Sequence, residues 1–569
     1  MILRLLFLPL VIVVRLLSAP FRAWRRRVAA PPGALVEIVV AGAVAEGPAR
    51  PSSRWSLARW LRRPRRASLR LPTVRRTVDE VLSDPRAAGV LLTIRNVGGG
   101  WAGLEALRAE VGRVRSAGKR LVAWLPEGGG DREIFVATAA QLVVAPPTVD
   151  LALTGTKSER HFIKRGLDRL GVDVEVHARK EYKSAGDGMI REQRSEADRA
   201  QTEAIIGAID HALVAAIGEG RGVDPLAARA LVDAGPTRAS VAKERGLVDL
   251  LGHDDELPTL LGARLIPADR YLARRGAGRA PRPWFGRRKV IAIVEVHGAI
   301  ASTHSPLARA LGPVAAAEQV VADLRAAERD PRVAGVVLDV DSRGGTVTAS
   351  DAIYAAARRL AQKKPVVARM GDYAASGGYY VAAAARSIVA RPLTLTGSIG
   401  VVAVRPIVAR LAETLGITRD VVARGRYADA GALTRPPTDD ERALFDREID
   451  GHYAAFVSIV AEARARSVEE IEPLARGRVW TGADAHARGL VDHLGGLDRA
   501  VSLVREALPG IAVEPEPRVI AAHVPGRRLD DGPRAAAALA SVLDWLPLEV
   551  QASLAPFALA PARIVAWMP

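Results

Sequence analysis

The sequence predicts an α/β protein built from two tandem copies of one domain, each a largely parallel sheet with helices. Residues 84–92 (DPRAAGVLL) recur as residues 330–338 (DPRVAGVVL), and residues 245–249 (RGLVD) recur as residues 488–492, at offsets of 246 and 243. Matches in the same order and at nearly constant spacing indicate an internal duplication. Within each copy apolar strands alternate with helices, which is the pattern of a parallel sheet.

The second copy shows the alternation most plainly. Its predicted elements are strand 290–296, helix 314–327, strand 333–340, helix 348–362, strand 364–369 and a small-residue helix over 377–385. Two glycines directly follow the second of these strands, which suits a turn where backbone N–H groups approach a ligand closely. Because ligands bind at the carboxyl ends of the strands in such sheets, the site is predicted there.

The repeat also sets the predicted domain boundaries. The first copy spans residues 32–267 and contains a basic insert over 50–76, and the second copy spans residues 289–508. The remaining segments are an apolar and basic N-terminal segment over 1–27, an arginine-rich linker over 268–288 and an Ala/Pro-rich tail over 509–569.

The composition is that of a large globular chain with a strong positive charge. Its 569 residues are too many for one core, and 49% are hydrophobic. The formal net charge is +18, and 72 of the 81 basic residues are arginine. Such a charge fits nucleic acid or an anionic membrane surface, but aromatic residues make up only 4% and no nucleic-acid-binding motif occurs, so no nucleic-acid partner is expected. The absence of cysteine excludes disulfides and thiol chemistry.

Two segments near the N-terminus predict contact with membrane lipid. Residues 2–19 are mostly apolar and are followed by four arginines within residues 22–27. The charge-free core, residues 5–14, is shorter than the ~20 residues that span a bilayer, which leaves a short anchor, an interfacial helix and an uncleaved signal-like segment all open. The arginines and tryptophans of residues 50–76 suit either a lipid headgroup region or a solvated loop.

One serine is placed as a nucleophile would be. Ser376 lies between a predicted strand and a predicted helix and is flanked by Ala375 and Gly377, so its hydroxyl can stand clear beside the N–H groups of a helix start. That is how a nucleophilic serine is presented. On this segment alone, a helix cap is the simpler interpretation.

The duplication separates this serine from its candidate base. The position of Ser376 is occupied in the first copy by Asp131, whereas Lys183 of the first copy falls opposite Ala428 in the second. Each copy therefore keeps one member of a pair. A serine hydroxyl needs a base, and no histidine follows Ser376 until His452. A lysine can serve once burial lowers its pKa, which is impossible for an arginine.

These residues lie in segments that resemble signal peptide peptidase A (protease IV) of the long, duplicated type. The resemblance covers roughly residues 35–505, and its most specific pieces are residues 182–185 (YKSA), 374–379 (AASGGY), 393–400 (LTLTGSIG) and 479–482 (VWTG). It implies the Clp/crotonase-like fold and a membrane-bound Ser/Lys serine peptidase.

The resemblance also implies roles for single residues. Ser376 takes the place of the nucleophile, Lys183 that of the general base, and Ser398 that of a second serine hydrogen-bonded to the base. The implied oxyanion hole is formed by backbone N–H groups at Gly377, Gly344 and Gly345. The family usually has Ser-Pro-Gly-Gly where residues 342–345 read SRGG, and the exchange of the proline for arginine loosens that turn.

Substrates, partners and location follow from the resemblance as well. It implies hydrophobic peptide substrates such as signal peptide remnants, a homo-oligomer (a tetramer) and the bacterial inner membrane, with catalytic domains on the periplasmic side. Neither a cofactor nor a metal is expected. Two alternatives stay open: a crotonase-like acyl-CoA enzyme, which needs the glycine turns but not the serine, and a catalytically silent membrane scaffold.

Overall fold

The computed structural model describes residues 30–47, 69–276, 289–303, 313–514, 517–520 and 565–566. The predicted N-terminal segment and most of the basic insert, of the linker and of the tail lie outside these residues. Contacts divide the chain into two compact units, one formed by residues 1–156 and 209–287, the other by residues 157–208 and 288–569.

The division into units differs from the boundaries of the repeat. Residues 157–208 belong to the second unit, although the duplication places them in the first copy. The strand Asp173–Ala178 pairs along its whole length, antiparallel, with the strand Val402–Ile407, which ties this segment to the second unit. Lys183 therefore shares a unit with Ser376 and Ser398. The domain boundaries inferred from the repeat therefore stay a prediction.

The first unit contains a parallel sheet with helices. Its strands are Ala34–Ala45, Leu69–Arg70, Ala87–Gly98, Arg120–Trp124, Gly129–Gly130, Leu142–Ala145, Asp150–Ala152, Thr237–Arg238, Leu250–Leu251 and Leu265–Pro267. Its helices are Leu71–Leu82, Trp101–Ser116, Asp131–Ala137, Pro225–Asp233, Ala239–Glu244, Leu257–Leu260 and Ala268–Gly276, with a 3₁₀ turn at Asp254–Glu256. The helix Glu196–Arg221 begins in the second unit and ends in the first.

The second unit has the same plan with more strands. Its strands are Asp173–Ala178, Val290–His297, Ala299–Ala301, Val314–Ala316, Val333–Ser342, Gly345–Thr346, Val366–Ala375, Ser387–Ala390, Leu395–Gly397, Val402–Ile407, Val479–Thr481, His493–Leu494, Arg518–Val519 and Val565–Ala566. Its helices are Lys164–Arg169, Asp187–Ile190, Ala317–Arg329, Val347–Ala361, Gly377–Ala382, Ala409–Thr414, Asp439–Arg464, Val468–Ile471, Gly482–Ala487 and Leu497–Glu506, with a 3₁₀ turn at Glu472–Leu474.

The predicted fold class is confirmed in both units. The main sheet of the first unit is parallel in every described pairing, and the eight-stranded sheet of the second unit is parallel except where Leu395–Gly397 meets Val479–Thr481. In the second unit one face of the central strands joins the largest apolar cluster, while the other packs against the helix Leu497–Glu506. Burial on both faces explains why these strands read as nearly continuous apolar runs.

The predicted elements of the second copy are present with shifted bounds: the small-residue helix predicted over 377–385 ends at Ala382, and two further differences involve strand pairing. Residues 314–316, predicted as the start of a helix, form a strand that pairs with Ala299–Ala301, and the helix begins at Ala317. The strand predicted over 364–369 continues to Ala375. In both places pairing with a neighbouring strand overrides the local pattern, which a single sequence does not reveal.

Among the described residues, one helix, Glu196–Arg221, is long and apolar enough by length and composition to cross a bilayer. It carries the buried polar residues Asp198 and Gln201 and the core residues Leu213 and Ile217. Buried side chains thus lie near both ends of this helix.

A buried ion cluster crosses the three central strands of the second unit. Asp339 accepts a hydrogen bond from Arg369 Nη1 at 2.8 Å, and its second oxygen lies 3.0 Å from His297 Nε2. Burial raises the pKa of Asp339, but Arg369 and His297 outweigh that effect, so the net pKa lies well below its usual value. The carboxylate is thus ionised and depends on its cationic partners.

Replacing Arg369 with methionine is expected to lower the free energy of unfolding of the second unit by about 3–5 kcal/mol, because a buried carboxylate then loses its main counter-charge. Arg165→Met, which breaks the exposed ion pair with Glu192, is the matched control and is expected to leave the denaturation midpoint nearly unchanged. Equal midpoints for both variants in urea-induced unfolding would contradict the assigned role of the cluster.

Candidate active site

Ser376 occupies a strained position at the end of a central strand. It lies between the strand Val366–Ala375 and the helix Gly377–Ala382, with φ 54° and ψ −120°. A positive φ is costly for a residue with a side chain and persists where the surroundings enforce it. Here the Ser376 N–H donates to the carbonyl of Gly397 at 2.8 Å, and the residue is fully buried. The interpretation as a simple helix cap is wrong, because the side chain makes no capping hydrogen bond.

The glycines after Ser376 are required by close packing. A Cβ atom on Gly377 would lie 2.4 Å from Ser350 Oγ and 3.2 Å from the nitrogen of Gly345. A Cβ atom on Gly378 would lie 2.7 Å from the carbonyl oxygen of Ser342. The turn after Ser376 therefore packs directly against the turn at residues 342–345.

Lys183 brings its amine to the serine hydroxyl. Its Nζ lies 3.0 Å from Ser376 Oγ, 2.8 Å from Ser398 Oγ and 3.0 Å from the carbonyl oxygen of Ser398. A neutral amine has two N–H groups and one lone pair, so these three oxygens account for all of its hydrogen-bonding positions. The arrangement leaves the lone pair directed at Ser376 when Ser398 accepts both N–H groups.

Burial controls the charge of this amine. Lys183 is 2% exposed, and burial lowers its pKa well below the ordinary value of 10.5. No carboxylate of the described residues forms an ion pair with Lys183, so no counter-charge opposes this desolvation. A neutral lysine next to a serine hydroxyl is able to accept the hydroxyl proton.

Two glycines make room for the lysine side chain. A Cβ atom on Gly477, where φ is +77°, would lie 2.7 Å from Lys183 Cβ, and one on Gly400 would lie 3.3 Å from Lys183 Cδ. Gly477 carries no recognisable signal in the sequence, because it lies almost 300 residues from Lys183 in the chain and in no motif. Gly400 lies in one of the recognised segments but without an assigned role.

Ser398 is placed by the strand that neighbours the strand of the nucleophile. The strand Leu395–Gly397 pairs parallel with the strand Val366–Ala375, so that Gly397 lies beside Ala375. Ser398 itself has φ 49°, and its N–H donates to the carbonyl of Arg478 at 2.6 Å. The two strained serines thus end neighbouring strands.

The glycines predicted for the oxyanion hole lie beside Ser376. Gly377 is the first residue of its helix, where N–H groups have no intrahelical acceptor. The N–H of Gly344 donates to Ser342 Oγ at 3.1 Å, so it already has an acceptor within its own turn. Arg343, which replaces the usual proline, stacks over the Tyr373 ring at 4.3 Å.

The corresponding position in the first unit is filled by carboxylates. Asp131 Oδ1 accepts hydrogen bonds from the N–H groups of Thr154 and Gly155 at 3.0 and 3.1 Å. Glu133 accepts from the N–H groups of Val97 and Gly130 at 2.6 and 2.9 Å. Backbone donors of this unit are therefore occupied by its own side chains. Among the described residues, no group of three or more His, Asp or Glu side chains could hold a metal ion.

Models of known protein families match both copies of the repeat. Residues 113–263 and 358–509 each match the model of peptidase family S49, and residues 313–394 match that of Clp protease. The two S49 matches follow the internal duplication. Neither the acyl-CoA enzyme nor the silent scaffold is supported by any of these matches.

Curated relatives that match about three quarters of this chain are named as proteases. The chain is 33% identical over 448 residues to the chloroplastic serine protease SPPA of Arabidopsis thaliana, which spans 77% of this chain and 66% of that relative. It is 30% identical over 443 residues to Protease 4 of Salmonella typhi, which spans 75% of this chain and 70% of the relative. It is 28% identical over 446 residues to Protease 4 of Haemophilus influenzae, which spans 75% and 71%.

The buried lysine is expected to make stability depend on pH. Between its lowered folded pKa and the ordinary value of 10.5, the unfolded chain holds a proton on Lys183 that the folded chain lacks, so stability rises with pH through this window. In Lys183→Met the free energy of unfolding should rise less steeply, by at most about 1.4 kcal/mol per pH unit. Denaturation curves collected across neutral to alkaline pH check this, and identical slopes for both proteins would contradict a neutral lysine.

Proposed function

The chain belongs to peptidase family S49 and is a serine peptidase, and we propose that it is a membrane-associated endopeptidase. Its substrates would be hydrophobic peptides such as cleaved signal peptides. Ser376 and Lys183 would carry the reaction, which passes through an acyl-enzyme. The observation that carries the proposal is the 3.0 Å distance between Lys183 Nζ and Ser376 Oγ in a site where both residues are buried. Reacting groups held at hydrogen-bond distance need no further reorganisation before proton transfer.

Acylation begins at the serine hydroxyl. Neutral Lys183 accepts the proton of Ser376 as Oγ bonds to the carbonyl carbon of the peptide, and the carbonyl oxygen takes up the displaced electron pair. The Lys183 ammonium then gives that proton to the leaving amine nitrogen, and the C–N bond breaks. Ser398 accepts N–H hydrogen bonds from Lys183 and keeps the lone pair on Ser376.

Backbone N–H groups stabilise the oxyanion. Gly377 supplies a helix N-terminal N–H, which favours negative charge. The turn at Gly344 and Gly345 packs against Gly377, since a Cβ atom on Gly377 would lie 3.2 Å from the Gly345 nitrogen. For Gly344 to donate to the oxyanion, its N–H must leave Ser342 Oγ.

Water completes the cycle by the reverse route. Lys183 accepts a proton from water as the water oxygen attacks the ester carbonyl, and it returns the proton to Ser376 Oγ when the acyl C–O bond breaks. The products are the carboxylic acid fragment, which gives its remaining proton to the solvent, and the restored dyad with a neutral lysine.

The strands around the dyad support an extended peptide substrate. The strand Val565–Ala566 lies antiparallel to Gly345–Thr346 and to Val402 of the next strand. A backbone segment thus fits between these two edges, beside the turn that packs on Gly377. A peptide substrate would bind there in place of Val565–Ala566, through main-chain hydrogen bonds that carry affinity without demanding a particular sequence.

Membrane association and oligomer formation complete the proposal. The N-terminal apolar segment over residues 1–27 would anchor the chain in the bacterial inner membrane, with the catalytic units on the periplasmic side. Within the second unit, large apolar side chains are exposed at Leu170, Leu415 and Val422, at 61, 64 and 96%. Contacts in a homo-oligomer, which we propose to be a tetramer, would cover such side chains.

Substitution of either dyad residue is expected to abolish peptidase turnover. Ser376→Ala removes the nucleophile, and Lys183→Arg keeps a cation of similar size that cannot be deprotonated, so each should lower kcat at least about 1000-fold. Hydrolysis of a quenched hydrophobic peptide measures turnover, and fluorophosphonate labelling reports the reactivity of Ser376.

Lys180→Arg is the matched control, because Lys180 lies three residues from Lys183 but is partly exposed and paired with Glu472. It should keep full turnover. A Lys183→Arg protein as active as Lys180→Arg would exclude Lys183 as the base.

Removal of residues 1–27 tests the membrane role separately. The shortened protein is expected to move from the membrane fraction to the soluble fraction while it keeps hydrolysis of a short peptide. Retention in the membrane fraction after a high-salt wash would assign membrane binding to another segment.

A further inference from the structure

Lys183 lies in a segment that regular secondary structure does not hold. No helix or strand spans residues 179–186, yet the amine must stay within hydrogen-bond distance of two serines. The carbonyl groups and side chains around Lys183 are held instead by a buried polar cluster at the start of the helix Glu196–Arg221. Its members Ser184, Asp198 and Gln201 are 1, 1 and 2% exposed.

Gln201 connects two parts of the site with one side chain. Its Nε2 donates to the carbonyl of Tyr182 at 3.2 Å and lies 3.3 Å from Ser184 Oγ and 3.2 Å from Asp198 Oδ1. Its Oε1 accepts the N–H of Val479 at 3.2 Å. The Gln201 amide thus contacts the residues on both sides of Lys183, and it also binds a strand that lies almost 300 residues away in the chain.

That strand is the one that holds Ser398. The strand Val479–Thr481 pairs antiparallel with Leu395–Gly397, with Val479 opposite Gly397. The residue before Val479 accepts the N–H of Ser398 through its carbonyl at 2.6 Å. Gln201 therefore links the segment that carries Lys183 with the backbone that orients Ser398. The Ser398 hydroxyl in turn contacts the Lys183 amine.

The charge of Asp198 is matched within the cluster. Arg160 and Arg194 donate to Asp198 Oδ2 at 3.2 and 3.0 Å, and Ser184 Oγ donates to Oδ1 at 2.8 Å. Burial raises the pKa of Asp198, but Arg160 and the hydrogen bonds from Ser184, Gln201 and Arg194 outweigh it, so its net pKa is lowered. The Asp198 carboxylate therefore stays ionised beside two guanidinium groups, and it orients the Gln201 amide by accepting its hydrogen bond.

We propose that Gln201 is a positioning residue for the peptidase reaction, whose bridge from Tyr182 to Val479 fixes the Lys183 amine against Ser376 and keeps it out of water. The inference rests on the proposed function, since it assigns Gln201 a role in the Lys183–Ser376 dyad. Loss of the bridge frees the segment of residues 179–186 to move and lets water reach the amine. Both effects act on the base and not on peptide binding.

Gln201→Met tests the proposal, because methionine has nearly the same length and suits a helix but makes neither hydrogen bond. We expect kcat to fall about 10- to 100-fold, the effect of a misplaced catalytic group, while KM changes less than about threefold. The acid limb of the profile of kcat against pH should move to higher pH, since a hydrated lysine binds its proton more tightly. A variant that only destabilises the fold would lower activity equally at all pH values.

A second readout does not depend on turnover. The chain has only nine lysines, so NMR of ¹³Cε-lysine-labelled protein can follow the titration of Lys183, identified by its absence in Lys183→Arg. The titration midpoint should be higher in Gln201→Met than in the unchanged protein. If Gln201→Met fails to fold, Ser184→Ala removes one contact of Gln201 and should shift the midpoint in the same direction by less.

Gln141→Met is the matched control. Gln141 also bridges two backbone groups, the N–H of Leu121 at 2.7 Å and the carbonyl of Lys119 at 3.2 Å, but in the first unit. It should leave kcat, the pH profile and the Lys183 midpoint unchanged.

The outcomes separate the two proposals. If Ser376→Ala abolishes turnover while Gln201→Met matches Gln141→Met in kcat, pH profile and midpoint, the role of Gln201 is overturned and the peptidase dyad stands. If Ser376→Ala and Lys183→Arg keep turnover, the dyad is overturned. The Lys183 midpoint in Gln201→Met then still decides whether Gln201 controls the amine.

Discussion

The enclosure of one amine is the constraint around which the catalytic unit is arranged. Lys183 is buried, and burial lowers the pKa of its amine well below the ordinary value of 10.5. Three oxygens from Ser376 and Ser398 surround its Nζ, and glycine at Gly477 leaves the space that its stem occupies. An arginine or an exposed lysine in the same place would stay charged and could accept no proton.

The two buried serines of the site also have strained backbone conformations. Ser376 and Ser398 both have positive φ angles, and each N–H is bound to a carbonyl of a neighbouring strand or turn. Ladder hydrogen bonds therefore hold conformations that a free chain would avoid. The buried ion cluster of Asp339, Arg369 and His297 lies across the same central strands and ties them together.

The two copies of the domain carry different side chains at the position of Ser376. In the first unit Asp131 and Glu133 saturate backbone N–H groups, so a carboxylate stands where the second unit has a serine. The residue facing Ser376 comes from a segment that belongs to the first copy by sequence but to the second unit by contacts. This explains how each copy could lose one member of the pair while the chain kept both.

The order of elements in the second copy was predictable because buried parallel strands and amphipathic helices leave strong periodic patterns. The strand at Val314–Ala316 and the extension to Ala375 were not, since both depend on partners distant in sequence. Ser376, Lys183 and Ser398 could be named from the resemblance and the asymmetry of the repeat. Gln201 could not, because a glutamine in a helix carries no signal until its two backbone partners are in place.

By itself, the amino-acid sequence determined the fold class, the duplication and the chemical types at the site, because these follow from local periodicity and from residues that one copy keeps and the other lacks. Tertiary structure alone decided that the lysine meets the serine at 3.0 Å, with both side chains buried. The exposure of the Lys183 amine and its distance from the serine hydroxyl depend on the residues packed around it. These neighbours lie at positions 376, 398, 400 and 477, which only folding brings together.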